Sequence, residues 1–136
     1  YEYRLPTPVE WRRLARVADD APYPWGAEWP PPYGNYADRV TEPYLGATQV
    51  IAEYRDGFVA TCPVQESGVH PSGLYGLGGN VWEWTVVSGE SRGLALGGSW
   101  MDHEEAHLRI SAQHRITRTY SYEGLGFRLL LMPVAP

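Results

Sequence analysis

The sequence predicts a loop-rich α+β domain with short strands, and three observations carry that expectation. Its 136 residues include 15 Gly and 12 Pro, which punctuate a chain into turns more often than they extend a helix or strand. Six Trp and ten Tyr supply large anchors, the means by which a fold with little regular structure holds together. Only one stretch, near the N-terminus, combines a helix start signal with helical apolar spacing. A chain of this length forms one domain with a real but modest core.

That stretch begins at Thr7-Pro8-Val9-Glu10. Thr7 is placed as N-cap, Pro8 occupies the first helical position, and Glu10 reaches back to close a capping box. Trp11, Leu14 and Ala15 then share one face of a helix running to about Val17, whose task is to bury Trp11. From Asp19 to Tyr44 the chain turns irregular, because Pro30-Pro31-Pro32 forbid both helix and central strand. The interleaved Tyr23, Trp25, Trp29, Tyr33 and Tyr36 predict that this loop is ordered by packing. A strand is expected over Thr48–Tyr54, followed by a turn at Asp56-Gly57. A glycine-rich stretch, 73–80, leads into Val81-Trp82-Glu83-Trp84-Thr85, and further short strands are expected around Leu94–Leu96 and Gly126–Met132. No repeat, linker or low-complexity tail interrupts residues 1–136, so they read as a single unit.

Charge and cysteine content narrow the function classes. A net charge of −5 gives no general pull toward nucleic acid, and no apolar run approaches the roughly 18 residues of a membrane span. All eleven basic residues are Arg. The lone cysteine, Cys62, excludes an internal disulfide and sits in a short apolar run, as a buried small residue would. The chain opens at Tyr1 without a signal peptide, which reads as a trimmed product and leaves the compartment open.

Several motifs then follow in one order. Tyr3-Arg4-Leu5-Pro6-Thr7 with Glu10-Trp11 comes first, then Tyr23-Pro24-Trp25-Gly26. Gly73-Leu74-Tyr75 and Gly79-Asn80-Val81-Trp82-Glu83-Trp84 come next, before Gly97-Gly98-Ser99-Trp100 and Gly126-Phe127-Arg128. The ordered set resembles the formylglycine-generating enzyme (sulfatase-modifying factor) family from Tyr3 to about Leu131. The resemblance implies a C-type-lectin-like fold of that subtype. It extends to the lectin-like domain of ergothioneine-type sulfoxide synthases and to the binding domains of variable proteins diversified by retroelements. Family members carry a further portion before the Arg-Leu-Pro-Thr motif. The resemblance thus implies a separate N-terminal segment, or an oligomer partner, to cover Trp11, Leu14 and Leu129-Leu130-Leu131. In physical terms Trp25, Trp82, Trp84 and Trp100 are read as anchors, and Arg128 as a donor to loop carbonyls.

The chemistry implied by the resemblance is incomplete. In the active enzymes two cysteines after the Gly-Gly-Ser-Trp motif bind copper, which as copper(I) requires soft thiolates. The matching positions here are Asp102 and His107, so no copper is expected and formylglycine generation by the family mechanism is disfavoured. Asp102, His103 and His107 offer the rival reading: a 2-His-1-carboxylate metal site of an oxidoreductase or modifying-enzyme domain, with both histidines on one helical face. The resemblance also implies structural calcium. One site maps to Asp38 and Asp56 with the carbonyls of Arg39 and Phe58. A second maps to Glu83 with the carbonyls of Gly79 and Val81, but Gly76 stands where a side-chain ligand is usual.

Between Trp100 and Gly126 the composition changes. Ser111 to Tyr122 is rich in Ser, Thr, His, Arg and Tyr, as in a paratope where Tyr supplies rigid area and Ser and Thr adaptable hydrogen bonds. In the retroelement-diversified relatives the varied positions lie in this stretch. Asp102, His103, His107, Ser111, His114, Thr117, Thr119, Tyr120, Ser121 and Tyr122 are residue types that adenine-directed mutation of an Asn codon yields. The leading expectation is therefore noncatalytic binding of a protein or other surface-displayed ligand by this segment, on a bacterial or phage protein.

Overall fold

The computed structural model describes residues 1–134, and it begins with the helix the sequence marks. Helix α1 spans Pro8–Ala15. The Thr7 hydroxyl accepts from the Glu10 N–H at 3.3 Å, and Glu10 Oε2 accepts from the Thr7 N–H at 2.8 Å, so the capping box is formed. Arg4 adds a bidentate pair to Glu10 at 2.6–2.8 Å. That guanidinium, with the Thr7 donors, holds the Glu10 carboxyl down at about 2. The helix buries Trp11 and Ala15 against Leu77, Leu94, Leu96 and Ile110.

Six short strands complete the regular structure. Strand β1 (Glu2–Arg4) pairs antiparallel with β6 (Leu130–Met132), joining the two ends of the chain in a ribbon. A separate four-stranded sheet has the order β4-β3-β2-β5, from β2 (Trp82–Thr85), β3 (Arg92–Leu96), β4 (His114–Thr117) and β5 (Leu125–Gly126). The β2–β3 and β3–β4 pairs are antiparallel and β2–β5 is parallel. Two one-turn helices, α2 (Glu42–Leu45) and α3 (Glu105–Leu108), lie in the connections. The fold is α+β and C-type-lectin-like, with most of the chain in turns.

What orders the irregular half is aromatic packing. Tyr23 stacks on Trp25 with centroids 4.8 Å apart, and Trp25, Tyr36 and Tyr54 continue edge to face. Ile51 and Leu108 close this second cluster. Gly79 shows why glycine is required where loops cross. Its φ is +71°, and a Cβ there would collide with the carbonyl oxygen of Asn35.

Three expectations need correction. Thr48–Tyr54 is not a strand: Ile51 N–H donates to Ala37 O at 2.8 Å and Tyr54 N–H to Ile51 O at 3.2 Å. Ile51 and Tyr54, three residues apart, point inward from a pair of turns, which apolar spacing alone does not distinguish from a strand. Gly126–Met132 divides into β5 and β6, because its two ends pair with different sheets while Phe127–Leu129 cross between them. Trp11 is not left uncovered; it is 1% exposed.

Candidate functional site

The segment from Ser99 to Tyr122 is held by the four-stranded sheet and by one carboxylate. Asp102 Oδ2 accepts from the Ser99 N–H at 2.8 Å, the Ser99 hydroxyl at 2.7 Å and the indole of Trp82 at 2.9 Å. Its backbone oxygen accepts from Ala37 N–H at 3.1 Å. Asp102 Oδ1 faces His107 Nδ1 at 3.3 Å. These two residues sit on a cavity of about 220 Å³. Trp82, Ser99, Met101, Gln113, His114 and Tyr122 complete its wall. His114 packs edge-on to both Trp82 and Tyr122. Burial, followed by the Asp102 charge, pushes the Tyr122 hydroxyl up to about 12.

Apart from His103, which is half-buried and does not line the cavity, the expected binding residues divide into three groups. His107 and His114 are exposed and meet Asp102 and Tyr122 at the cavity. Thr117, Thr119, Tyr120 and Ser121 are exposed on β4 and the turn after it, which Arg118 ties down through the carbonyl oxygens of Val87 and Glu90. Ser111 is exposed but lies away from the cavity, beside Arg12 and Arg16. Tyr122 also packs against Trp82, Ala95 and Ile116, so it serves the core as well as the surface. Sequence reasoning passed over Met101 and Gln113 as cavity residues. Their signal was position alone, each adjacent to a named residue.

The 2-His-1-carboxylate arrangement is not assembled. Helix α3 starts only at Glu105, so His103 precedes it and the four-residue spacing does not place the two histidines on one helical face. Among the described residues no three His, Cys, Asp or Glu side chains converge as metal donors.

The two calcium positions differ sharply. Both oxygens of Glu83 are taken: Oε2 by Arg128 Nε and Trp11 Nε1 at 2.6 Å, Oε1 by Arg128 Nη2 at 2.7 Å. A guanidinium occupies the place of a cation, and Gly79 O already accepts from Val81 N–H at 2.8 Å. Glu83, Gly79 and Val81 therefore do not fit a metal ion. Arg128 also donates to the carbonyl oxygens of Tyr75 and Gly76, as expected of it. By contrast, Asp38 and Asp56 have no basic side chain within 4.0 Å among the described residues. Their oxygens are engaged by backbone donors alone: Asp38 Oδ1 accepts from the Val40 and Thr41 N–H groups, Asp38 Oδ2 from those of Asp56 and Gly57, and Asp56 from those of Tyr36 and Phe58. Burial first, and Asp38 also, raise the Asp56 carboxyl to about 6, against the opposing backbone donors. What separates this pair from Glu83 is the partner: backbone N–H groups rather than a guanidinium engage its oxygens. Two adjacent carboxylates beside the backbone of Arg39 and Phe58 thus suit a hard oxygen-seeking ion that displaces those donors.

Comparison with known proteins agrees with this architecture. The model of the sulfatase-modifying factor enzyme 1-like domain matches residues 2–132. The formylglycine-generating enzyme of Thermomonospora curvata is 40% identical over 96% of this chain, which spans 50% of that protein. The inactive C-alpha-formylglycine-generating enzyme 2 of Mus musculus is 31% identical over 92% of this chain and 42% of its own length. The chain thus spans half or less of either relative. Treponema denticola variable protein 1 superposes with a TM-score of 0.64 over 93% of this chain and 46% of its own. At 22% identity that likeness concerns the fold alone.

Proposed function

The chain belongs to the sulfatase-modifying factor enzyme 1-like family, and from that premise we propose that it is a noncatalytic ligand-binding member. The observation that carries this reading is the replacement of both thiolate positions by Asp102 and His107. Asp102 is engaged by Trp82 and Ser99, so it serves as a scaffold group, and a carboxylate with an imidazole does not hold copper(I) as two thiolates do. The exposed residues His107, His114, Thr117, Thr119, Tyr120 and Ser121 form the binding face, with the 220 Å³ cavity as its deepest point. A rigid sheet presenting Tyr, His and Thr from one edge strand and its turn suits recognition of a protein or other surface-displayed ligand. The likeness to a variable protein supports the scaffold beneath such a face and nothing finer. Calcium at Asp38 and Asp56 is part of the same proposal, as a structural ion joining the 36–41 and 54–58 loops.

Two measurements test it. Mass spectrometry of a cysteine-containing sulfatase peptide incubated with the protein, with and without copper, should show no conversion to formylglycine; conversion overturns the noncatalytic reading. Arrays of bacterial and host surface proteins and glycans then supply a ligand. Replacing His114, Thr117, Thr119 and Tyr120 together by Ala should lower its retention at least tenfold while the melting temperature holds. Unchanged retention places the binding face elsewhere.

A further inference from the structure

We infer that the arginines of helix α1 form a second site, which takes a single sulfate or phosphate group. Arg12 and Arg16 are four residues apart on the helix and its C-cap, and Arg13 lies between them. In a chain with 16 acidic and 11 basic residues, none of the three has a carboxylate within 4.0 Å among the described residues. Elsewhere Arg4, Arg39, Arg115 and Arg128 have such a partner, and Arg55, Arg92, Arg109 and Arg118 do not, so what sets the α1 arginines apart is their grouping on shared grooves.

Two neighbouring grooves share Arg12 and Arg16. One, of about 520 Å³, is also lined by Arg13, Val9 and Asp19; the other, of about 380 Å³, runs beside Ile110 and Ser111. Arg12 Nε is buried and has no partner, while its Nη2 donates to Gln113 Oε1 at 3.2 Å.

A helix C-terminus favours cations in its last turn, which accounts for the sign of these residues. It does not account for the grouping of three arginines on shared grooves or for the unpaired Arg12 Nε. Like charges four residues apart on a helix disfavour one another, and a bound anion reverses that. Guanidinium forks match the oxygens of sulfate and phosphate in pairs, which a lysine does not do. The net charge of −5 opposes an extended polyanion, so the site is suited to one isolated ester group. Asp19 is the one acid on the groove and weakens anion binding there. The inference does not rest on the binding face: the grooves adjoin that face only at Ser111 and Gln113.

Titration of the full chain with inorganic sulfate and with inorganic phosphate, at ionic strength held constant with chloride and followed by amide chemical shifts, tests the site. The expected result is saturable one-to-one binding, with shifts confined to residues 9–19 and 110–113. Arg12→Ala and Arg16→Ala should each weaken it at least tenfold, and Asp19→Asn should tighten it. Arg12→Lys, which keeps the charge and loses the fork, should lie between wild type and Arg12→Ala, and it serves if Arg12→Ala does not fold. Preference for one anion identifies the ester, and equal affinity assigns the site to both. Shifts that never saturate, or an equal loss in Arg92→Ala, show a nonspecific charge effect and overturn the proposal. The fourfold variant of the binding face should keep its oxyanion affinity, which separates failure of this site from failure of that face.

Discussion

At the scale of single residues, Glu83 and Arg128 carry more of the fold than their place near the ends of two motifs suggests. Their side chains are 8% and 18% exposed, and Trp11 donates to the same carboxylate. Removing one member of a buried pair leaves an uncompensated charge, so Arg128→Ala should cost about 3–5 kcal/mol by denaturant unfolding. The exposed pair Arg115–Glu90 provides the contrast: Arg115→Ala should cost about 1 kcal/mol or less. Comparable losses for the two would show that Arg128 is not buried as described. Asp56 gives a pH signature. Its carboxyl titrates at about 6 in the folded chain, above the ordinary carboxylate value, so the folded state binds the proton more tightly. Stability from this group is present below pH ~4 and is lost as pH rises to about 6. The proposed calcium at Asp38 and Asp56 would offset that loss, so added calcium should raise the melting temperature at pH 7 by several degrees and much less at pH 5. Identical melts with calcium and with EDTA at pH 7 would count against the ion, as would calcium sensitivity surviving in Asp56→Ala.

At the scale of elements, β4 and its turn divide labour between core and surface. Ile116 points into the cluster with Trp82 and Ala95, while His114, Thr117 and Tyr120 are exposed. Tyr122 belongs with Ile116: Tyr122→Ala should cost about 2 kcal/mol, below the roughly 3–5 of a fully buried aromatic. Thr119→Ala should stay within about 0.5 kcal/mol. Thermal melts of the two variants check this, and equal costs would remove the distinction between face and core. Local chemistry made α1 legible, because Thr7, Pro8 and Glu10 are all the signal a capping box needs. No comparable signal marked the Ile51–Tyr54 turns. Their inward side chains serve aromatic partners at Tyr23 and Tyr36, which the sequence separates from them by many residues.

At the scale of the whole molecule, the ribbon of β1 and β6 presents a broad apolar surface. Tyr1 is 84% exposed, Tyr3 70%, Phe127 63% and Leu131 51%. Tyr3 and Leu131 are register partners across the ribbon, and exposed apolar side chains gathered there mark an interface or an association liability. The chain spans half or less of the two relatives compared, and we expect a separate segment or a second copy to cover this ribbon. Light scattering at rising concentration should show association of the isolated chain. Tyr3→Glu with Leu131→Glu should suppress it, and a monodisperse wild-type monomer would refute the expectation.

Three features were legible from the residues alone: the α1 cap, the anchoring role of Trp11 and the Arg128 contacts to loop carbonyls. Each depends on residue identity at short range or at a motif position. Only the tertiary structure decided which acidic groups already have a guanidinium partner. Glu83 and Asp38 are both buried carboxylates, yet Arg128, 45 residues away, reaches the first, and among the described residues no basic side chain reaches the second. It also decided that His103 stands apart from His107, because α3 begins two residues too late. Through-space partners of this kind depend on how the loops cross, and the spacing of residues along a chain contains no record of that.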